Sequence, residues 1–221
     1  MLDSTSTIRR LFVDEFHSRH IPQIPSDSRV LDLGGSRIKK RGAFNIEGYP
    51  LNVIYADLTD TKKPHFQADA AAIPLTDNSF DAVICSELLE HVAYPPAVLK
   101  EVYRILKPGG RLLICVPFLF RIHGDPFDYG RYTDYYWNDQ LHFLNFNQIQ
   151  IEHQGYYFAV AADMIRLYSR SIGFHGRLAG IKKKMADWLV QTLIDRDRRP
   201  ETASNSFFRS FSTGFGIIAY K

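Results

Sequence analysis

Two apolar runs near the start of the chain end in glycines and acids, which are residue types that bind small polar ligands. The first run, RVLDLGG, ends in Gly34 and Gly35, and the second, LNVIYADL, carries Asp57 at its end. A carboxylate has two acceptor oxygens, and an acid ~20 residues after a glycine turn can accept hydrogen bonds from both ribose hydroxyls. The two runs therefore predict a pocket for an adenosine group that carries no phosphate.

A second polar group follows the last buried run of the first half. The segment FRIHGDPFDYGRYTDYYW contains His123, Asp125, Asp128 and Arg131 among aromatic side chains. Imidazole titrates near neutral pH, so His123 is the candidate general base, with Asp125 or Asp128 to orient it. Arg131 is a candidate for binding a carboxylate or phosphate on a second ligand. The alternative is a packed segment in which Arg131 forms a structural ion pair.

These groups need parallel strands whose carboxyl ends meet at one edge. Short apolar runs alternate with amphipathic helical patterns over 26–118, and each run is apolar on both faces. This favours an α/β fold with a mostly parallel sheet covered by helices. One helix is predicted over LKEVYRILKPGG, with Gly109 and Gly110 ending it. A leading helix over 4–20 ends before two prolines.

The pattern changes after residue 118. QIQIEHQ alternates like a half-exposed strand, a helical region covers about 158–195, and TGFGIIAYK forms a closing strand. The polar stretch 195–206 is predicted to be a mobile loop. An apolar stripe in the helical region is interpreted as core packing, with a dimer contact or a weak membrane-surface contact as alternatives. The stripe consists of Ile181, Met185, Trp188, Leu189 and Thr192.

The composition is that of a globular protein. The chain has 221 residues, 45% hydrophobic and 23% charged, which suffices for one domain with a substantial core. No apolar run has the length of a membrane-spanning helix, and no secretory signal pattern is present, so a cytoplasmic protein is expected. Cys85 and Cys115 are expected to be reduced core residues. A net charge of +3, with scattered basic residues, does not predict nucleic-acid binding.

Four segments resemble the class I S-adenosylmethionine-dependent methyltransferases, in particular the type 11 small-molecule group. They are VLDLGG, the acid Asp57, ADAAAIPLTDNSFDAVICSELLEHV and LKEVYRILKPGGRLLICVPF, in the family's order over about ninety residues. The resemblance implies a Rossmann-like, doubly wound sheet of seven strands, mostly parallel with an antiparallel C-terminal strand, and helices on both faces. It implies a single domain with a leading helix at 1–25, a cofactor half at 26–118, and an acceptor half at 119–221 that includes a helical insertion at about 158–205.

The resemblance also implies a cofactor-binding set, which consists of Asp32, Gly34, Gly35, Ser36, Asp57, Leu58, Asp69, Ala70, Ser86 and Glu87. The glycines would let the backbone approach the methionine part of S-adenosylmethionine, and Asp57 would bind its ribose. Asp69 would accept a hydrogen bond from the adenine amino group, with the Ala70 N–H facing the ring. Ser86 and Glu87 would lie beside the sulfonium. Taken singly, each acid has an alternative role as a cap or a turn residue.

The glycine turn departs from the family's three alternating glycines. Gly34 is kept, but Ser36 and Ile38 replace the other two. A β-branched isoleucine resists positive φ, so the loop is expected to follow another path, with Gly42 after an altered turn. S-adenosylmethionine has no phosphate to cradle, so binding is expected to survive. A methyltransferase-fold protein that binds or scaffolds without catalysis is the alternative.

The sequence thus predicts methyl transfer to oxygen or nitrogen of a small molecule or sugar, with His123, Asp125 and Arg131 as the catalytic set. The pattern H-x-x-P-x-D-Y-x-R-Y-T resembles a subgroup of these methyltransferases associated with glycan and natural-product pathways. His91 is interpreted as structural, and no metal is expected because no Cys/His cluster has metal-ligand spacing. A monomer or homodimer is expected. A nicotinamide dehydrogenase fits less well, because the G-x-G-x-x-G spacing is absent.

Overall fold

The structure is a computed structural model that describes residues 7–38, 42–124, 127–171 and 173–221. The strands are β1 Arg29–Leu33, β2 Asn52–Asp57, β3 Phe66–Gln67, β4 Phe80–Ser86, β5 Leu106–Pro117, β6 Asn147–His153 and β7 Gly214–Tyr220. The helices are α1 Ile8–His20, α2 Pro95–Ile105, α3 Asp134–Phe143, α4 Tyr157–Ser171, α5 Ala179–Asp197, α6 Pro200–Ser204 and α7 Ser206–Arg209.

Within the described residues, seven strands form one sheet in the order β3-β2-β1-β4-β5-β7-β6. The first five are parallel, and β7 pairs antiparallel with both β5 and β6. The carboxyl ends of β1, β2, β4 and β5 therefore share one edge, to which the end of β6 and the start of β7 also belong. The fold predicted from the sequence is confirmed.

Helices cover both faces of the sheet. On one face, α2 packs its apolar side against alternate residues of β1, β4 and β5, together with the buried Trp137 and Leu141 of α3. On the other face, Val13 and Phe16 of α1 pack on the intervening residues of the same strands. This arrangement explains why the strands are apolar on both sides.

The two cysteines lie on opposite faces of the sheet. Cys85 belongs to the cluster under α2, and Cys115 to the cluster under α1. Both are buried free thiols. Burial raises the pKa of Cys85 and raises that of Cys115 to about 12. The expectation of buried core cysteines without a disulfide is confirmed.

The leading helix forms as expected. Thr7 caps α1 by accepting a hydrogen bond from the Arg10 N–H. Ile8 is fully buried against α4 and α5. The helix ends at His20, and a short 3₁₀ turn that contains Pro22 follows.

The end of α2 differs from the prediction. The helix stops at Ile105 rather than at the glycine pair, and Leu106 already belongs to β5. The glycines extend the pairing with the chain end, because the Gly109 N–H donates to the Lys221 carbonyl and the Lys221 N–H donates to the Gly110 carbonyl. The φ of Gly109 is +76°, which suits glycine.

The interpretation of the apolar stripe on α5 as core is wrong. The exposed fractions of Ile181, Met185 and Trp188 are 58%, 64% and 69%. A different row of the helix is buried, in which Val190 and Ile194 pack on α4 and α1. Two apolar rows occur on this helix, and the sequence does not say which one meets α4.

The prediction of a mobile loop over 195–206 is also wrong. Pro200 occupies the first turn of α6, where its missing N–H has no helical partner to lose. Asn205 caps α7 by accepting hydrogen bonds from the N–H groups of Phe207 and Phe208. No helix among the described residues is both long and apolar enough to cross a bilayer.

Candidate active site

The turn after β1 requires both of its glycines. The φ of Gly34 is +80°, and a Cβ atom there would lie 2.9 Å from Cδ1 of Leu88. A Cβ atom on Gly35 would lie 2.2 Å from the carboxylate of Asp32. The Gly34 N–H donates to the Ala56 carbonyl of β2 at 2.8 Å. The turn is therefore held close to the sheet, and a side chain at either position would displace its neighbours.

Described residues on either side of positions 39–41 contact different parts of the fold. The Ser36 hydroxyl donates to the Ile38 carbonyl, and the Arg37 N–H donates to the Lys62 carbonyl. Gly42 has a φ of +82°, and its Cα lies against the carboxylate of Asp14 in α1. Gly42 therefore adopts a left-handed conformation where it contacts α1.

Asp57 is buried at the end of β2 with both carboxylate oxygens engaged. Its Oδ1 accepts hydrogen bonds from the N–H and hydroxyl of Thr59 at 2.9 and 3.0 Å. Its Oδ2 lies 2.9 Å from the Nζ of Lys62, which also donates to the Gly34 carbonyl. Leu58, the next residue, is 70% exposed. A ligand hydroxyl at this carboxylate would have to share Oδ2 with Lys62.

Asp69 follows β3 on the same edge of the sheet. Its Oδ1 accepts a hydrogen bond from the Ala71 N–H at 2.9 Å, and its carbonyl accepts one from the Ala72 N–H. Its side chain therefore stabilises a turn, and Ala70 packs against the core in that turn. The adenine contact predicted for these residues stays a prediction.

The side chains at the end of β4 contact α1. The Oγ of Ser86 lies 2.7 Å from the Nε2 of His17. Glu87 has a φ of +52°, and its carboxylate accepts hydrogen bonds from the fully buried guanidinium of Arg9 at 2.6 and 3.1 Å. Burial, and then Arg10 and Arg9, lower the pKa of His17 to about 3. His17 is therefore neutral at physiological pH.

A 3₁₀ turn after β4, Leu89–His91, brings an acid and a histidine to the segment that follows β5. Glu90 is 1% exposed. Its Oε1 lies 3.7 Å from the Nε2 of His91 and 3.9 Å from the Nε2 of His123. The two imidazole rings stand edge to face with centroids 5.1 Å apart. Burial, and then the charge of Glu87, raise the pKa of Glu90 to about 8.

His123 is held by Asp128 and Arg131. The Asp128 carboxylate accepts a hydrogen bond from the backbone N–H of His123 at 2.9 Å. It also lies 3.2 Å from Nδ1 of the His123 ring. Both terminal nitrogens of Arg131 donate to this carboxylate, which holds the pKa of Asp128 well below its usual range. Burial lowers the pKa of His123. Asp125, the other predicted orienting acid, lies outside the described residues.

Arg131 uses both terminal nitrogens of its guanidinium in a bidentate ion pair with Asp128. This is the structural ion pair that the sequence offered as the alternative to anion binding. The role of Arg131 in binding a second ligand therefore stays a prediction that would require exchange of partners.

A wide groove of about 500 Å³ opens beside the ends of β5 and β6. Phe118 and Phe215 form its apolar side, and His153 lies 3.7 Å from the carboxylate of Asp134 across it. Arg209 and several serines of the α6–α7 region complete the lining. The groove has the mixed apolar and polar character of a small-molecule site.

Comparison with known proteins identifies the fold's relatives. Residues 43–114 match a family described as a methyltransferase domain. The ubiquinone/menaquinone biosynthesis C-methyltransferase UbiE of Citrobacter koseri is 35% identical over 102 residues, covering 38% of this chain and 41% of that protein. The demethylmenaquinone methyltransferase of Mycobacterium bovis is 32% identical over 123 residues, covering 51% and 52%. The chain thus aligns with about half of these relatives' length, or less.

Solved structures extend the likeness over nearly the whole chain. A SAM-dependent methyltransferase from Archaeoglobus fulgidus superposes with a TM-score of 0.60 at 17% identity, covering 96% of this chain and 94% of that chain. A phosphoethanolamine N-methyltransferase of Haemonchus contortus, in complex with S-adenosyl-L-methionine, superposes with a TM-score of 0.57 at 17% identity, covering 96% and 52%. Residues 43–114 are therefore similar to a methyltransferase domain, and nearly the whole chain shares the fold of these solved structures.

The range that matches the methyltransferase domain contains the acids at the ends of β2 and β4 but not the glycine turn. Gly34 lies before this range, and His123 lies after it. The comparisons support the resemblance noted in the sequence over this range. The individual cofactor contacts remain predictions.

Sequence reasoning missed three candidate functional residues. Arg9 and His17 lie in the leading helix, far from the motifs in sequence, and nothing in their pattern indicates contact with the end of β4. Glu90 lies inside the LLEHV motif, but its burial depends on the segment after β5, whose Tyr129 N–H donates to the Glu90 carbonyl at 2.8 Å. A buried acid flanked by a histidine in a strand-end motif is the one signal that the sequence offered.

Proposed function

We propose that this protein transfers a methyl group from S-adenosylmethionine to a small-molecule acceptor. The observation that carries the proposal is the position of Asp57, buried at the end of β2 beside the positive-φ turn at Gly34. In a doubly wound sheet the ligand binds at this edge, outside the carboxyl ends of the strands. The match of residues 43–114 to a methyltransferase domain supports S-adenosylmethionine as this ligand.

Different residues at this edge bind different parts of the cofactor. Asp57 binds the ribose hydroxyls through Oδ2, and the exposed side chain of Leu58 offers an apolar surface to the adenine. The Gly34–Gly35 turn lets the main chain approach the methionine part, because no Cβ stands in the way. The sulfonium lies near the end of β4, where the Glu87–Arg9 pair fixes the local charge.

The acceptor binds beyond β5, on the side of His123 and the groove. Methyl transfer is an in-line displacement, so the protein must chiefly align the acceptor and exclude water. A hydroxyl or ammonium acceptor must also lose a proton, for which His123 offers a neutral ring with Nε2 unengaged by a hydrogen bond. These features support oxygen or nitrogen of a small molecule or sugar as the methyl acceptor.

The decisive experiment is a calorimetric titration with S-adenosylhomocysteine. The wild type is expected to bind it, and Asp57→Ala is expected to bind about 10- to 100-fold more weakly, because a charged acceptor for two buried hydroxyls is lost. Asp60→Ala is the matched control, since Asp60 lies three residues on with a side chain that is 65% exposed. Absence of binding at millimolar ligand in the wild type would support the non-catalytic alternative.

The relatives favour a second acceptor class. UbiE is named as a C-methyltransferase of quinone biosynthesis, and ring carbon as acceptor is therefore the competing proposal. Mass spectrometry of the product formed with a demethylmenaquinone analogue separates the two classes. A C-methylated quinone would favour the carbon acceptor, whereas turnover only with hydroxyl or amine acceptors would favour the first proposal.

A further inference from the structure

The carboxylate of Glu90 is buried without a hydrogen-bond partner among the described residues. Leaving a carboxylate in this state is costly unless a cation or donor compensates it. Two imidazole nitrogens face Oε1: Nε2 of His91 at 3.7 Å and Nε2 of His123 at 3.9 Å.

The hydrogen bonds of both rings fix which nitrogen carries the lone pair. Nδ1 of His91 contacts the Phe127 carbonyl, which can only accept, so Nδ1 carries the hydrogen and Nε2 the lone pair. Nδ1 of His123 faces the Arg121 carbonyl and the Asp128 carboxylate, which are also acceptors. Nη2 of Arg131 lies 3.3 Å from the same Nδ1, but its two hydrogens are directed to Asp128 and the Arg121 carbonyl at 2.7 and 3.1 Å. The arrangement therefore favours a hydrogen on Nδ1 and a lone pair on Nε2 in both rings. An imidazole that donates through one nitrogen to a carbonyl or carboxylate is the usual form of a metal-binding histidine.

The spacing also suits one ion. One ligand atom from each of Glu90, His91 and His123 lies within 4.8 Å of the other two. Ligand atoms around a tetrahedral zinc ion are separated by ~3.3 Å when each bond is ~2.0 Å long. Binding of an ion would therefore require the three side chains to move closer together. No other group of three such ligand residues meets the same criterion in the part of the chain that the structure describes.

The nearby arginines do not neutralise Glu90. Both terminal nitrogens of Arg131 are bound to Asp128, and the guanidinium of Arg9 is bound to Glu87 and Gln154. Each arginine is thus balanced by its own acid, and Glu90 contributes one uncompensated negative charge when ionised. A divalent cation matches one carboxylate and two neutral imidazoles.

We propose that Glu90, His91 and His123 bind a divalent transition-metal ion, of the zinc, iron, cobalt or manganese class. Two imidazoles and one carboxylate leave coordination positions open for water or for an oxygen of a second ligand. The side chains of His91 and His123 are 18% and 22% exposed, which gives an ion access from solvent. The proposal departs from the expectation of no metal, because the ligands come from separate segments that only the fold joins.

A role for the ion in catalysis rests on the proposed function. A hydroxyl acceptor that coordinates the ion would lose its proton more readily, since a bound cation lowers the pKa of its oxygen ligand. Metal binding and proton abstraction by His123 use the same lone pair of Nε2. The two roles exclude each other while the ion is bound.

Cobalt titration of the untagged full chain tests the site. The protein is dialysed against EDTA and then against chelator-free buffer, and Co²⁺ is added while its visible d–d absorption is recorded. Glu90→Gln and His91→Gln remove one ligand each. His142→Gln is the matched control, because His142 is exposed on α3 and bonded only to its own helix through the Asn138 carbonyl.

One Co²⁺ per chain is expected for the wild type and for His142→Gln, with at least about tenfold weaker binding in the two ligand variants. Zn²⁺ should displace the Co²⁺ signal. Absence of stoichiometric absorption in the wild type, or equal affinity in Glu90→Gln and His91→Gln, would overturn the proposal. Titration of the same variants with S-adenosylhomocysteine shows that they are folded and tests the proposed function separately.

Discussion

The ammonium group of Lys62 lies 2.9 Å from Oδ2 of Asp57, and it donates to the Gly34 carbonyl at the same distance. One side chain thus joins the turn after β1 to the acid at the end of β2. S-adenosylmethionine carries a positive sulfonium, so a second cation at this edge opposes its binding. If Asp57 binds the ribose as proposed, Lys62 would compete with the ribose hydroxyls for Oδ2, the oxygen that Thr59 leaves available.

Replacing Lys62 by methionine is therefore expected to strengthen cofactor binding. The side chain is 39% exposed, and its charge is screened by solvent. The affinity for S-adenosylmethionine should rise by up to about fivefold, or about 1 kcal/mol, with a smaller gain for S-adenosylhomocysteine, whose sulfur is uncharged. Isothermal calorimetry with both ligands measures the difference.

Lys63→Met serves as the control for this substitution. Lys63 pairs with Asp60, and both side chains are mostly exposed. Its replacement should leave both affinities unchanged. Weaker binding in Lys62→Met alone would mean that the lysine holds Asp57 and the Gly34 turn in the ligand-binding conformation instead of competing with the ligand.

Alanine at Gly34 is expected to damage the turn. A positive φ costs an L-residue about 1 to 2 kcal/mol, and the added methyl group would also press on Leu88. Gly48→Ala is the control, because a Cβ atom there meets nothing within 4 Å. Urea unfolding should show a loss for Gly34→Ala and near-neutral stability for Gly48→Ala. Equal midpoints would show that the turn has another conformation.

Removal of Arg9 is expected to destabilise the protein strongly. Its guanidinium is buried between Glu87 and Gln154, and its removal would leave these polar groups without their hydrogen-bond donor. Breaking a buried pair on one side costs about 3 kcal/mol or more, whereas a surface pair contributes about 1 kcal/mol or less. Arg9→Met should therefore lose much more stability in urea unfolding than Arg19→Met, whose side chain is 52% exposed beside Glu152.

The double variant Arg9→Met/Glu87→Gln separates charge from packing. If the stranded carboxylate causes the loss, the second substitution should recover part of it. A double variant no more stable than Arg9→Met would assign the loss to packing of the arginine stem.

His17 should make the protein sensitive to acid. Its pKa falls to about 3 in the folded protein, below the ordinary 6.5. Its contribution is therefore complete above pH 6.5 and is lost as the pH falls toward 3, since only the unfolded state binds the proton. The stability advantage of wild type over His17→Gln should shrink by about 1.4 kcal/mol per pH unit in that window.

The exposed His142 provides the comparison for the acid experiment. The stability curve of His142→Gln against pH should run parallel to that of the wild type. A constant difference between wild type and His17→Gln across the window would show that the imidazole at position 17 is solvated.

The sequence predicts the sheet well, because buried parallel strands have a strong and local signature. Runs such as FDAVICSE and RLLICVPF lie within one residue of the observed β4 and the core of β5. Turns can also be predicted from local sequence, because the glycines after β1 are required by the backbone geometry found there. The order of motifs along the chain indicated the similarity to a methyltransferase domain that the comparison found over residues 43–114.

The prediction fails where packing partners come from distant segments. The sequence shows two apolar rows on α5 but not that Val190 and Ile194 meet α4. It shows an acid in LLEHV but not that His123 returns to it from beyond β5. It does not show that Lys62 reaches Asp57, because a lysine in a polar turn is normally solvated. Such relationships depend on tertiary contacts, which produce no periodic pattern in the sequence.

The burial of Cys85 and Cys115 on opposite sides of the sheet supplies an intrinsic reporter of opening. A thiol-reactive dye added to the native protein has to wait until α2 or α1 separates from the strands beneath it. Comparing the rates at the two sulfurs tells which helical layer detaches first. A ligand that binds at the strand ends and stabilises both layers should slow the reaction of both thiols. Local unfolding of the exposed surface of α5 should leave both reaction rates unchanged.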